Sequence, residues 1–321
     1  MGIFDKLNFN DVDIGSVQSV DEMTVVPILG SDRTRNIARP EDLRFRRTSN
    51  YGSMEYENLD QESDGIVPTN TMVRGQDAQD HAMSSVGVVE AVTRRRFDNA
   101  CCIEETQGGY LSDKENEEDI LPVTLRRALL DPSKRSERTY SKLWPDINDW
   151  LRGIPDIGRA GAHLRFFFDN EQYKKILEES AAEFEPVENQ IGAFILFSGS
   201  PVGLEIMPTE MHWWTYWKWL IRGCYGSELL RLKLLNKIGR YSIKFPDLPN
   251  KVDDVIATLT NFVDDLKQNI VPIFDTVEVK KVLDTGRSDK SPIFTKLIRT
   301  QSGGGDLVLE EKVPVYLSMI I

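Results

Sequence analysis

The chain has 321 residues, 39 basic against 51 acidic side chains and a formal net charge of −12, enough length to bury a core without staples and a balance that excludes broad adhesion to duplex DNA or anionic lipid. Its three cysteines make no disulfide framework and fit a reducing, cytoplasmic setting. The start MGIFDKLNFNDVDIG has no secretory pattern, and the longest apolar run, IGAFILF from Ile191, is too short to cross a membrane.

Residues 1–20 are polar and aperiodic and read as an arm; residues 21–321 read as one α+β domain, β-rich over 21–125 and mixed helical and hairpin over 126–321. MTVVPIL, Met23 to Leu29, is the first strand, and Pro27 suggests a sheet edge. Strand fragments joined by exposed loops follow to Asp64. IVPTNTMVRG, SSVGVVEAV and NACCIEE are further strands, each flanked by Gly, Asn or Asp.

After the acidic loop Ser112 to Asp119, SERTYSKLW reads as one helix and PDINDWLRG as the next, with Pro145 preset for a start and Gly153 for a stop. DNEQYKKILEESAAEF is a helix capped by Asp169, with Tyr173, Ile176, Leu177 and Phe184 along one side. IGAFILFSGSPVGLEI is a hairpin around Ser-Gly-Ser-Pro. In PTEMHWWTYWKWLIRG, Thr209 caps, Glu210 suits the helix dipole and Gly223 interrupts. Trp213, Trp214, Tyr216, Trp217, Trp219, Leu220 and Ile221 cover most of its circumference, leaving Thr215, Lys218 and Arg222 as a polar stripe, so this helix is expected to be buried nearly all round, Trp217 included. DLVLEEKVPVYLSMII gives two closing strands with a buried apolar tail.

Chemistry concentrates in two places. In an extended NACCIEE, Cys101 and Ile103 face one way and Cys102 and Glu104 the other, so the adjacent thiols diverge and read as core. A thiol nucleophile would need His81 beside one of them, which nothing local demands. His81, His163 and His212 are scattered without metal-ligand spacing, so no metal is expected. Glu104 and Glu105 stand at a strand exit before Gly108 and Gly109, a place for binding groups or for a solvated turn. RGQDAQDHAM packs Gln76, Asp77, Gln79, Asp80 and His81 into six positions, which suits a polar ligand as well as a capped turn. Arg94, Arg95 and Arg96 point alternately to two faces and favour a solvated edge over a phosphate clamp. QSGGGD lacks the lysine of a phosphate loop and reads as a hairpin connection.

The order of VRGQDAQDH, VGVVEAV, NACCIEETQGGYL, IGAFILFSGSPVGLEIMP, WKWLIRGCYGSEL and DLVLEEKVPVYLSMI resembles the ADP-ribosylglycohydrolase and rhodanese-phosphatase associated protein domain, a bacterial and phage family. The chain departs from that pattern with Asp80-His81 where Asn-Arg is expected, and with Gly109-Tyr110 where Arg-Trp is expected. The resemblance implies an ADP-ribose-like or NAD-derived nucleotide ligand, with Gln76, Gln79 and His81 hydrogen-bonding it, Glu104 orienting ribose or acting with His81 as a catalytic candidate, and Arg94 and Arg96 meeting phosphate. No cofactor is specified. The alternative is a structural or interaction protein, such as a virion or assembly component, with a homo-oligomer or another protein as partner.

Overall fold

A computed structural model describes residues 12–34, 36–75, 78–114, 116–136, 138–157, 161–238, 278–281, 293–299, 303–311 and 313–321. Strands β1 (Asp13–Ile14) and β2 (Gln18–Val20) precede β3 (Met23–Leu29). Then come β4 (Leu43–Arg47), β5 (Met54–Asn58), β6 (Gly65–Val67), β7 (Thr71–Arg74), β8 (His81–Ala82), β9 (Gly87–Val89), β10 (Arg94–Phe97), β11 (Cys101–Cys102) and β12 (Glu117–Ile120). Helices α1 (Val123–Ala128), α2 (Pro132–Ser136), α3 (Trp144–Leu151), α4 (Arg165–Phe168) and α5 (Glu171–Ala182) lead to the hairpin β13 (Gln190–Phe197) and β14 (Ser200–Ile206). Helix α6 (Glu210–Lys218) runs through a π-helical segment (Trp219–Gly226) into α7 (Ser227–Leu234), and β15 (Glu278–Lys281), β16 (Ile293–Arg299), β17 (Gly304–Glu310) and β18 (Val313–Ile320) follow. The fold is α+β. Among the described residues no helix is long and apolar enough to cross a membrane.

The main sheet is antiparallel, in the order β1-β3-β13-β14-β18-β17-β16-β15, with β2 beside β1 on the same flank of β3. Smaller sheets are β10-β5-β4, β11-β8-β7-β12 and β6-β9. Residues 13–20, assigned by sequence to an arm, thus supply two short strands to the main sheet. The expectation that Pro27 marks an edge is corrected: β13 flanks β3 on one side and β1 and β2 on the other. Proline lacks a ladder donor, and the break between β1 and β2 falls opposite it, bridged by the Gly15 amide donating to the Pro27 carbonyl at 2.9 Å. The β13–β14 turn has Ser198 and Gly199 at φ 45° and 79°, the positive pair that a two-residue turn of matching twist requires.

Period-two alternation sorts β13 between two cores. Ala193 and Ile195 join Trp213, Tyr216, Trp217, Leu220 and Ile221, whereas Phe194 and Leu196 join Val26, Ile28, Leu204, Leu317 and Met319. Trp217 is 3 % exposed and donates its indole N–H to the Phe184 carbonyl at 3.0 Å, and burying such a side chain contributes about 3 kcal/mol. The aromatic helix is nevertheless not buried all round, since Trp214 is 52 % and Met211 44 % exposed.

Gly223 does not interrupt this helix. A Cβ there would lie 2.8 Å from Asp119 Cβ and 2.9 Å from the Ile120 carbonyl oxygen, so the glycine serves close approach to β12 rather than termination. SERTYSKLW is not one helix: α2 ends at Ser136 and Tyr140 to Leu143 form a turn. There the Tyr140 carbonyl accepts the Cys102 amide at 2.8 Å and Lys142 Nζ donates to the Asn99 carbonyl at 2.5 Å, so the segment is held across β11. The cap of α5 is Asn170, whose side chain accepts from the Gln172 and Tyr173 amides, while Asp169 pairs with Arg74 at 2.9 Å. Ile176 is exposed on that helix. Helices α1 and α2 are pinned to the main sheet by buried ion pairs, Arg126 to Glu205 at 2.8 Å and Arg135 to Asp306 at 2.7 and 2.6 Å.

Candidate functional site

β11 lies against β8 with Cys101 opposite Ala82 and Cys102 opposite His81. The alternation read from the sequence holds: Cys101 and Ile103 enter the core with Leu125 and Trp150, while Cys102 and Glu104 face the other way. Just past the strand, residues 103–105 are stitched to 162–164. The Glu105 amide donates to the Ala162 carbonyl at 2.9 Å, the Leu164 amide to the Ile103 carbonyl at 3.4 Å, and Glu104 and His163 form an antiparallel bridge.

This pairing brings three side chains into line. Glu104, 2 % exposed, has Oε2 at 2.8 Å from His163 Nδ1 and Oε1 accepting the Arg165 amide at 2.7 Å. His163 Nε2 stands 3.2 Å from Thr106 Oγ1, which lies at the surface. Burial pushes Glu104 up to about 8, opposed by the Arg165 amide and assisted by the Asp80 charge, and burial also lowers His163, against the nearby Glu105 charge. Both shifts disfavour charge, so the pair holds one proton between neutral partners in neutral solution and sheds it in mild alkali.

The polar stretch before β8 forms the wall behind this line. Asp80 is fully buried, accepts the Gly75 amide at 3.0 Å and pairs with Arg165 at 2.6 Å; Arg165 also donates to the Gly75 carbonyl. Gln79 donates Nε2 to the Glu104 carbonyl at 2.6 Å, while its buried Oε1 has no hydrogen-bond partner among the described residues. His81 has Nδ1 at 2.7 Å from the Gln79 carbonyl, and its Nε2 accepts the Gly52 amide at 3.1 Å. The contact that nothing local demanded is present, because the β8–β11 register sets Cys102 Sγ at 3.2 Å from His81 Nε2. Both residues are fully buried; burial lowers His81 to about 4 and pushes the Cys102 thiol up.

Exposed aromatic rings lie nearby. Tyr51 meets Tyr110 at 5.2 Å and Tyr140 at 5.5 Å between centroids, and Phe166 lies 4.9 Å from the His163 ring. Tyr110, in the place where the resembled family pattern has a tryptophan, is 55 % exposed.

Of the residues singled out by sequence, Gln79, His81 and Glu104 therefore come together, and Gln76 lies outside the described residues. Arg94 and Arg96 do not join them. They project from the outer face of the β10-β5-β4 sheet, paired with Glu57 at 2.7 Å and Asp98 at 2.7 Å, while Arg95 turns inward over the Phe97 ring and donates to the Val88 carbonyl at 2.7 Å. Sequence reasoning missed Thr106, His163 and Arg165. His163 and Arg165 lie some sixty residues beyond Glu104, in a stretch with no local mark of function. Among the described residues no group of three or more His, Cys, Asp or Glu side chains is placed to hold a metal ion.

Fold and site together define an α+β domain with a buried carboxyl joined through imidazole to a surface hydroxyl. The model of the ARPP-1 family, the ARG and Rhodanese-Phosphatase-superfamily-associated Protein domain, matches residues 11–281, and the chain belongs to that family. The matched span contains every residue of the site; the DLVLEEKVPVYLSMI block, counted in the sequence resemblance, lies beyond it. No curated protein and no solved structure matches the chain significantly.

Proposed function

We propose that this domain binds and processes an ADP-ribose-like or NAD-derived nucleotide at the Glu104–His163 site. The family's association with ADP-ribose-related enzymes supplies the ligand class, and the observation that carries the reading is the Glu104–His163 hydrogen bond beside the buried Gln79 Oε1, which has no partner among the described residues. A buried acceptor without a donor costs about 1–3 kcal/mol and is satisfied by a ligand hydroxyl or amide. In this reading Gln79 accepts from the ligand, Glu104 and His163 handle its proton, and Tyr51, Tyr110 and Tyr140 offer ring faces to a base. His81 supports Gln79 from behind, since both its nitrogens are engaged within the chain. Arg94 and Arg96 remain candidates for a more distant phosphate only by leaving their carboxylate partners.

The test is thermal shift and calorimetry with NAD, ADP-ribose and cyclic derivatives. A stabilisation that disappears in Gln79→Ala is expected; no response at millimolar ligand removes the proposal. A second reading, an interaction protein, is favoured by Trp214 and Met211, which lie exposed one turn apart on α6. Light scattering of the wild type and Trp214→Ser separates the readings: self-association lost in the variant supports an interface.

A further inference from the structure

Thr106 Oγ1, His163 Nε2, His163 Nδ1 and Glu104 Oε2 follow one another at 3.2 Å and 2.8 Å, hydroxyl outermost and carboxyl innermost. This is the geometry in which an imidazole withdraws a hydroxyl proton while a carboxylate fixes its tautomer. Two further features favour attack at a carbonyl. Gly161, at φ 74°, would place a Cβ 3.1 Å from His163 Nε2 and 2.6 Å from Glu105 Oε2, so only a glycine leaves that edge of the ring uncovered. The amides of Gly108 and Gly109, two and three residues past Thr106 in an exposed loop, donate to no acceptor among the described residues and are free to meet a substrate oxygen.

We infer that Thr106 is a nucleophile that accepts an acyl group from an ester, with His163 as its base and Glu104 as the residue that positions the imidazole. The inference deepens the nucleotide reading and rests on the same site: the substrate class is an ester whose alcohol is a nucleotide ribose hydroxyl. Thr106 Oγ attacks the ester carbonyl carbon as its proton passes to His163 Nε2. The carbon–oxygen bond to the ribose then breaks, and His163 returns the proton to the departing oxygen. Water cleaves the Thr106 ester by the same route: one proton goes to His163 and on to Thr106 Oγ, and the acyl group leaves as a carboxylic acid.

His163 serves as a base only with Glu104 ionised and Nδ1 protonated, so acylation is expected to rise with pH through about 8. Burial does most to set this point; Asp80 and Asp169 raise it further, Arg165 lowers it, and Glu105 lies beside the imidazole.

The test uses the full chain and 4-nitrophenyl acetate. A burst of 4-nitrophenolate and one acetyl group mapped to Thr106 are expected; both are retained at that position in Thr106→Ser and lost in Thr106→Ala, and the burst is slowed about 100-fold in His163→Gln. Thr215→Ala, an exposed threonine on α6, is the control. Thr106 lies at the surface, so its two variants keep the fold and the outcome is readable even where His163→Gln unfolds. Acetylation at other residues alone, or a wild-type rate in Thr106→Ala, overturns the inference. Binding of ADP-ribose is followed separately: a protein that binds it without acetylation of Thr106 loses only the nucleophile, and one acetylated at Thr106 that ignores ADP-ribose loses only the nucleotide reading.

Discussion

Cys102 Sγ and His81 Nε2 are 3.2 Å apart, yet neither reaches solvent and the imidazole nitrogen already accepts the Gly52 amide. A thiolate nucleophile needs a thiol whose ionisation is eased and an open approach. Here burial raises the Cys102 thiol and keeps His81 neutral down to about 4. The contact is a hydrogen bond between two uncharged groups that holds β8 to β11. Cys101 and Cys224 are likewise free and buried. Iodoacetamide is therefore expected to leave all three thiols unmodified in the native protein and to alkylate all three in denaturant, as peptide mass mapping would report. Rapid native labelling of Cys102 would contradict this account.

Glu104 is buried, accepts the Arg165 amide and meets His163. Glu104→Ala leaves both groups buried without partners and is expected to destabilise the protein by about 2–4 kcal/mol. Glu104→Gln keeps the shape and costs less. Denaturant melts of the two variants check the order; equal losses would mean that the hydrogen bonds contribute little.

Glu118 gives a pH dependence with a definite sign. The residue is half-buried on β12, and burial, then the neighbouring Asp119 charge, raises its carboxyl from 4.5 to about 7. The folded chain thus holds a proton that the unfolded chain releases. Its stabilising contribution is complete below pH 4.5 and is lost as pH rises to about 7. Removing the charge by Glu118→Gln is expected to raise stability at pH 8 by about 1–3 kcal/mol and to change little at pH 4. Tm values at both pH values test this, and an equal change at both would show that the charge is not the cause.

Trp217 and Trp214 are three residues apart on α6 but differ in environment. Trp217→Ala removes a ring packed on Trp213 at 4.9 Å between centroids and on Phe184 at 6.5 Å, with an expected loss of about 3–5 kcal/mol. Trp214→Ala removes an exposed ring and is expected to change stability by about 0.5 kcal/mol or less. Circular dichroism melts of both variants decide whether the helix is core on one face and surface on the other.

Breaking the buried Arg126–Glu205 pair leaves one uncompensated charge beside Cys224 and Tyr225. Arg126→Met is expected to cost about 3–5 kcal/mol, and Arg126→Met with Glu205→Leu less than either single change. A double-mutant cycle measures the difference.

What the sequence determined was local. Alternation at Cys101 to Glu104 placed the thiols on opposite sides, Thr209 capped α6, Ser198-Gly199 turned the hairpin, and the run to Ile321 formed two paired strands, because each depends on residues within a turn or a pleat of one another. Sequence reading failed where a neighbour distant along the chain decided the matter. Gly223 reads as a helix stop, but Asp119 and Ile120 lie against it; Asp169 reads as a cap, but Arg74 takes its carboxylate. The candidate site belongs to the second kind. Thr106 and Glu104 are fifty-seven and fifty-nine residues from His163, and no periodicity or spacing connects them. Only the pairing of 103–105 with 162–164 brings them within hydrogen-bond reach, and the low-dielectric interior that this packing creates is what shifts their protons.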